Sequence, residues 1–168
     1  MLKNNKKNFL LALLIFIIIF AFDRTSKIYI LNLAETDKYV DIYVNPFLNF
    51  HLIWNTGIGF GLFSSQENFY YNLITVLIFL INIIIILLIF KSSNSSFFFF
   101  VMILGGSSGN LFDRIYYQAV PDFIDLHYGY FHWFVFNVAD IFITIGITCL
   151  IIVEFFYNNK KKPNNEKI

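Results

Sequence analysis

Long uncharged apolar runs, more than any alternation at strand or helix period, organise this chain. Residues 9–22 carry no charge or amide, and residues 73–90 hold only Thr75 and Asn82 as polar positions. A third run starts at Phe97 and passes through Leu104 into Gly105-Gly106-Ser107-Ser108-Gly109, and a fourth covers 135–156. About 20 apolar residues at ~1.5 Å per residue cross the roughly 30 Å of hydrocarbon in a bilayer. The pattern therefore predicts a membrane all-α bundle of four transmembrane helices, over about 9–28, 73–90, 97–113 and 135–156, forming a single integral membrane domain across 1–168. The first run resembles the core of a secretory signal, but it continues into Asp23, Arg24 and Lys27 with no small-residue cleavage site, so it reads as a retained helix.

Between the first two runs, over about 35–65, the pattern changes. Tyr39-Val40-Asp41-Ile42-Tyr43-Val44 and Leu48-Asn49-Phe50-His51-Leu52-Ile53-Trp54 are rich in β-branched and aromatic residues and flank the turn signal Asn45-Pro46. They predict a small extracytoplasmic β element. The polar, aromatic stretch 114–133 reads as irregular with a short helix, and the end after Tyr157 as a solvated basic tail.

Composition agrees with a lipid environment: 58% of the 168 residues are hydrophobic and 14% are charged, against about 25% charged in an ordinary soluble domain. The single cysteine, Cys149, excludes a disulfide framework, and His51, His127 and His132 form no HExxH-type pairing, so neither a metal nor another cofactor is expected. With Trp54 and Trp133 the histidines read as anchors at headgroup level, and Asn82 as a residue bonded to another helix. Gly57, Gly59 and Gly61 lack the G-x-G-x-x-G or GK[ST] pattern of a phosphate loop, and the net charge of +1 gives no footprint for nucleic acid.

Four spans put both termini on one side, and the cations choose it, because short cytoplasmic loops retain Lys and Arg. A cytoplasmic N-terminus places eight of the 12 cations inside, among them Lys3, Lys6, Lys7, Lys91 and Lys160. It leaves nine of the 11 acids at or near the outer face. Asp23, Asp113 and Asp140 then fall at one depth, with Asp140 about five residues into its span and so ~7 Å below the start of the helix. An ionisable group in a membrane helix costs on the order of 2.5–3.5 kcal/mol, so an acid there points to function. Asn110 with Asp113, and Asn137 with Asp140, stand three residues apart and share a helix face. Two carboxylates from different elements sharing one proton suffice to hydrolyse an amide without metal.

Five segments carry a resemblance in the right order: Asp23-Arg24-Thr25-Ser26-Lys27, Asn55-Thr56-Gly57-Ile58-Gly59-Phe60-Gly61, Gly105 through Arg114, Val120-Pro121-Asp122-Phe123-Ile124-Asp125, and Phe136-Asn137-Val138-Ala139-Asp140. Together they resemble the motif set of lipoprotein signal peptidases, also called signal peptidase II, over most of the chain. The resemblance implies an aspartic endopeptidase of the bacterial cytoplasmic membrane, with its active site at the outer face. Such enzymes cleave lipid-modified prolipoproteins just before the diacylglyceryl cysteine, use no metal and bind the cyclic peptide globomycin. It implies Asp122 and Asp140 as the catalytic pair, and Asp23, Lys27, Asn55, Gly57, Asn110, Asp113, Arg114, Asn137 and Ala139 as residues that bind substrate or support the pocket. Two positions depart from the family pattern: Ala119 and Pro121 precede Asp122 where glycine is frequent, and Arg24 follows Asp23 where glutamine is usual. A small ion or proton carrier is the alternative, since acids in a bundle also mark ion pathways.

Overall fold

The computed structural model describes residues 2–37, 39–57, 68–92 and 95–161. The order is α1 (Leu2–Asp37), β1 (Asp41–Asn45), β2 (Leu48–Asn55), α2 (Asn68–Lys91), α3 (Ser95–Tyr117), β3 (Val120–Tyr128), β4 (Phe131–Phe136) and α4 (Val138–Lys161). Four segments of these helices, Asn8–Asp37, Phe69–Lys91, Ser96–Tyr117 and Val138–Phe156, are long and apolar enough to cross a membrane. Their large apolar side chains, such as Leu14, Ile18, Leu73, Leu77 and Ile151, are half exposed in the isolated chain, as expected where lipid takes the place of a core.

α3 is the hub, touching each of the other helices. Its glycines make this possible. A Cβ on Gly106 would stand 2.5 Å from the carbonyl oxygen of Ala139 in α4, and one on Gly109 would strike the carboxylate of Asp23 in α1. Small residues at such crossings let backbones approach closely.

The four strands form one antiparallel sheet in the order β1-β2-β3-β4. The Asn45-Pro46 turn joins β1 to β2 as expected, closed by the Phe47 backbone N–H donating to the Asn45 side chain at 2.9 Å. The other two strands replace the irregular segment expected over 114–133, and Val135 and Phe136, assigned by hydropathy to the fourth span, end β4 instead. Asp140 consequently lies in the first turn of α4 and not deeper in the helix. Gln118, with φ 58°, ends α3 in the left-handed conformation and turns the chain into β3. Pro121 sits in β3 rather than in a loop. Its missing N–H costs little there, because β3 pairs with β4 only from Ile124 onward, so the ladder on that side has not begun.

Ile30 of α1, Val40, Phe123 of β3 and Val138 of α4 form the buried cluster that seats the sheet on the helix ends. Asn82 is buried, yet neither atom of its amide has a partner among the described residues, contrary to the interhelical bond expected of it. Residues 58–67, including Gly59, Gly61 and the end of the expected β element, and residues 162–168 of the basic tail lie outside the described residues.

Candidate active site

Asn137 sits just before α4 and caps it reciprocally with Asp140. The Asp140 backbone N–H donates to Asn137 Oδ1 at 3.2 Å, and the Asn137 backbone N–H donates to Asp140 Oδ2 at 3.2 Å. This is the capping-box geometry, here with an aspartate in the third position. It fixes the carboxylate of Asp140 at the helix end. The Asn137 side chain, still holding its two donor hydrogens, donates to Asp122 Oδ1 at 2.6 Å. One residue thus touches both acids.

The second oxygen of Asp122 accepts from Asn55 Nδ2 at 2.9 Å, across the β2–β3 pairing. Asp140 Oδ1 accepts from Asn110 Nδ2 of α3 at 2.8 Å. Asn110 therefore serves the acid of another helix and not its helical neighbour Asp113, although the three-residue spacing suggested a local pair. Both carboxylates are buried and line one cavity of about 280 Å³ together with Asn55, Ser107, Asn110, Arg114, Asn137 and Thr144, with Ile78, Ile143 and Ile147 in its apolar lining. Burial first, and then the charge of Asp140, push the Asp122 carboxyl up to about 7, against the pull of its two amide donors.

Behind Asp140 stands a charged cluster. Lys27 Nζ lies 2.9 Å from Asp23 Oδ1 and 2.7 Å from Asp113 Oδ2, and it donates to Asn110 Oδ1 at 2.8 Å. Arg24 lies 3.0 Å from Asp23 and 2.5 Å from Asp113, and its guanidinium rests over the Phe112 ring. Asp23, Lys27 and Asp113 are fully buried. Asp23 also accepts the Ala139 backbone N–H at 3.0 Å, satisfying one of the free donors in the first turn of α4. Asp113 is thus paired to α1 and not to its neighbour Arg114. Arg24, the departure beside Asp23, supplies the second cation that balances two acids.

Arg114 turns toward the cavity. Its Nη2 donates to the carbonyl of Gly57, while Nε and Nη1 have no partner among the described residues. Such a guanidinium presents donors to a carbonyl oxygen in the cavity. Gly57 is held in turn by its N–H donating to Asn55 Oδ1 at 2.8 Å. Tyr71 escaped the sequence reading: its hydroxyl donates to the Arg114 carbonyl at 2.6 Å and its ring lies 5.6 Å from the guanidinium. A tyrosine at the start of a span looks like any interfacial aromatic, so no local signal marks it.

The arrangement can hold one proton between two acids, orient them through a common amide and offer cationic donors nearby. The chain matches the family model of signal peptidase (SPase) II over residues 15–156. It is similar to the lipoprotein signal peptidase of Pelagibacter ubique, 61% identical over 98% of each chain, and to that of Aquifex aeolicus, 38% identical over 90% of this chain and 89% of the relative. A solved bacterial membrane enzyme superposes with a TM-score of 0.68 at 27% identity, covering 94% of both chains.

Proposed function

The chain belongs to the signal peptidase II family, and from that premise we propose that it removes the signal peptide from lipid-modified prolipoproteins by an aspartic mechanism, cutting just before the diacylglyceryl cysteine. The carrying observation is the convergence of Asp122 and Asp140 on one cavity, each hydrogen-bonded to Asn137. Asp122, its carboxyl raised to about 7, holds the shared proton, and Asp140 acts as the base. Asp140 takes a proton from the attacking water as its oxygen bonds to the scissile carbonyl carbon, and Asp122 donates to the carbonyl oxygen. Collapse of the tetrahedral intermediate breaks the C–N bond as the proton now on Asp140 passes to the leaving amine, and a hydroxyl proton of the intermediate returns to Asp122 to leave the product acid. Arg114 directs at the peptide backbone the N–H groups that have no partner among the described residues. Asn55 and Asn110 hold the two carboxylates, Lys27 holds Asn110, and Ala139 ties α4 to Asp23.

Both termini lie in the cytoplasm and the sheet with the cavity at the outer face of the bacterial inner membrane, a reading supported by the bias of Lys and Arg toward the inner segments. The lipid tails of the substrate then lie among membrane lipids against the apolar spans while the scissile bond reaches the acids. The same cavity is the site for a globomycin-type cyclic peptide. Purified protein in lipid vesicles, given a precursor with and without its diacylglyceryl group, is expected to cleave only the lipidated form. Equal cleavage of both overturns the substrate assignment, and full cleavage by Asp122→Asn or Asp140→Asn overturns the mechanism.

A further inference from the structure

The β3–β4 hairpin carries a second constellation, none of whose members lines the Asp122–Asp140 cavity. Asp125 and His127 are two residues apart on β3 and share a face, opposite to that of Asp122. On β4, His132 would ordinarily turn to the other face. However, the register shifts between Asp125↔Val135 and His127↔His132, so that β4 carries one extra residue opposite Leu126. This bulge brings His132 directly across from His127. His132 Nδ1 then lies 2.9 Å from Asp125 Oδ2, His127 Nδ1 lies 4.0 Å from the same oxygen, and one ligand atom from each of the three groups falls within 4.8 Å of the others.

His127 makes this more than a hydrogen-bonded pair. Its side chain is only 10% exposed, and its Nδ1 is buried with no hydrogen-bond partner among the described residues. A buried ring nitrogen aimed at a carboxylate already engaged by another histidine lacks something to bind. We propose that Asp125, His127 and His132 form a site for one divalent transition-metal cation of the zinc type, clasping β3 to β4.

Dimensions and donor types fit. Ligand distances of about 2.0–2.2 Å in tetrahedral geometry set neighbouring donors roughly 3.3 Å apart, which the observed 2.9 and 4.0 Å straddle, so small side-chain rotations suffice. Two imidazoles and one carboxylate suit zinc, cobalt or nickel, whereas magnesium and calcium prefer all-oxygen shells. The His132 side chain is 54% exposed, leaving an entry path and room for water as a fourth ligand. The two-residue tip, with Gly129 at φ 59°, holds both strands in place before the ion arrives. The site stands whether or not the peptidase reading holds.

Untagged full-length protein in detergent micelles, stripped with EDTA, is titrated with Co2+ alone and followed by visible absorption. We expect ligand-field bands saturating at one equivalent, displaced by Zn2+ and not by Mg2+. Losing an outer-shell partner alone costs about 10–100-fold in metal affinity, so His132→Gln, an exposed change that leaves the fold intact, weakens binding at least ~10-fold. His127→Gln does the same, and His51→Gln, outside the hairpin, changes nothing. Absence of a saturating one-equivalent signal, undiminished binding in the His127→Gln/His132→Gln double variant, or equal displacement by Mg2+ overturns the proposal.

Discussion

Two clusters of carboxylates are joined through Asn110, and they are solved in opposite ways. Asp23 and Asp113 each have two cations, Lys27 and Arg24, within 3.0 Å, so the four buried charges balance. Among the described residues, Asp122 and Asp140 accept hydrogen bonds from amides: Asn55, Asn110 and Asn137. An acid paired with a cation has its charge offset at close range. One held by neutral donors beside another acid keeps a proton within reach of physiological pH, as Asp122 does near 7. The compensated cluster ties α1 to α3 and α4, and the uncompensated one supplies the acids of the proposed reaction. Asn110 joins them, accepting from Lys27 and donating to Asp140.

The hardest break of this contrast removes an acid from the uncompensated side. Asp140→Asn and Asp122→Asn keep shape and hydrogen-bonding capacity but delete the base or the acid, and general acid–base catalysis contributes about 10²–10⁴-fold. Both variants are expected to insert and fold while losing at least ~10³-fold in prolipoprotein cleavage, read by gel shift of the precursor. If either variant retained cleavage within tenfold of the parent, that would falsify the division of labour between the clusters.

On the compensated side the loss should appear as unfolding. Lys27→Met leaves Asp23 and Asp113 with Arg24 as their one cation among the described residues, and breaking a buried pair from one side costs about 3–5 kcal/mol. The denaturation midpoint in detergent is expected to drop sharply. Adding Asp113→Asn should recover part of that loss, since one acid and one cation again balance. No recovery would mean that packing of the lysine stem, and not charge balance, holds the cluster.

These two clusters differed in how readable they were. The spans announced themselves by length and apolarity, and Asp140 stood out as an acid beside a hydrocarbon run. The β1–β2 hairpin showed as β-branched segments around Asn45-Pro46. β3 did not, because its polar residues sit on both faces: Asp122 faces the cavity, while Asp125 and His127 occupy the other side, which erases the alternation that betrays a strand. Asp122 was accordingly visible only through its motif. Partner choice was hidden too. Spacing along one helix cannot reveal that Asn110 bonds α4, that Asp113 bonds α1, or that Tyr71 reaches the Arg114 carbonyl, since all three depend on how the helices meet.

Asn137 tests the contrast more finely, because it belongs wholly to the uncharged side. Asn137→Ala removes the N-cap oxygen of α4 and the donor to Asp122 together. Loss of the cap costs about 1 kcal/mol of stability. Misorientation of the acid pair should lower kcat by roughly 10–100-fold, by analogy with other misplaced catalytic groups. Asn137→Ser restores a capping oxygen but is too short to donate to Asp122, so it should recover the denaturation midpoint and not the rate. Recovery of both would show that the cap is all that matters.

The mildest probe is pH. Asp122 has a carboxyl raised to about 7 in the folded protein against about 3.9 when unfolded, so between these values the native state binds the extra proton. Stability from this group is therefore fully present below about pH 4 and is lost as pH rises through 7. Activity that requires the protonated acid falls over the same upper limb, by about tenfold between pH 6 and pH 8 for a single group titrating at 7. The denaturation midpoint should decline mainly between about pH 4 and 7 and level off above, and Asp122→Asn, which cannot ionise, should flatten that decline. A decline of the same size in the parent and in Asp122→Asn would remove Asp122 as the holder of the proton.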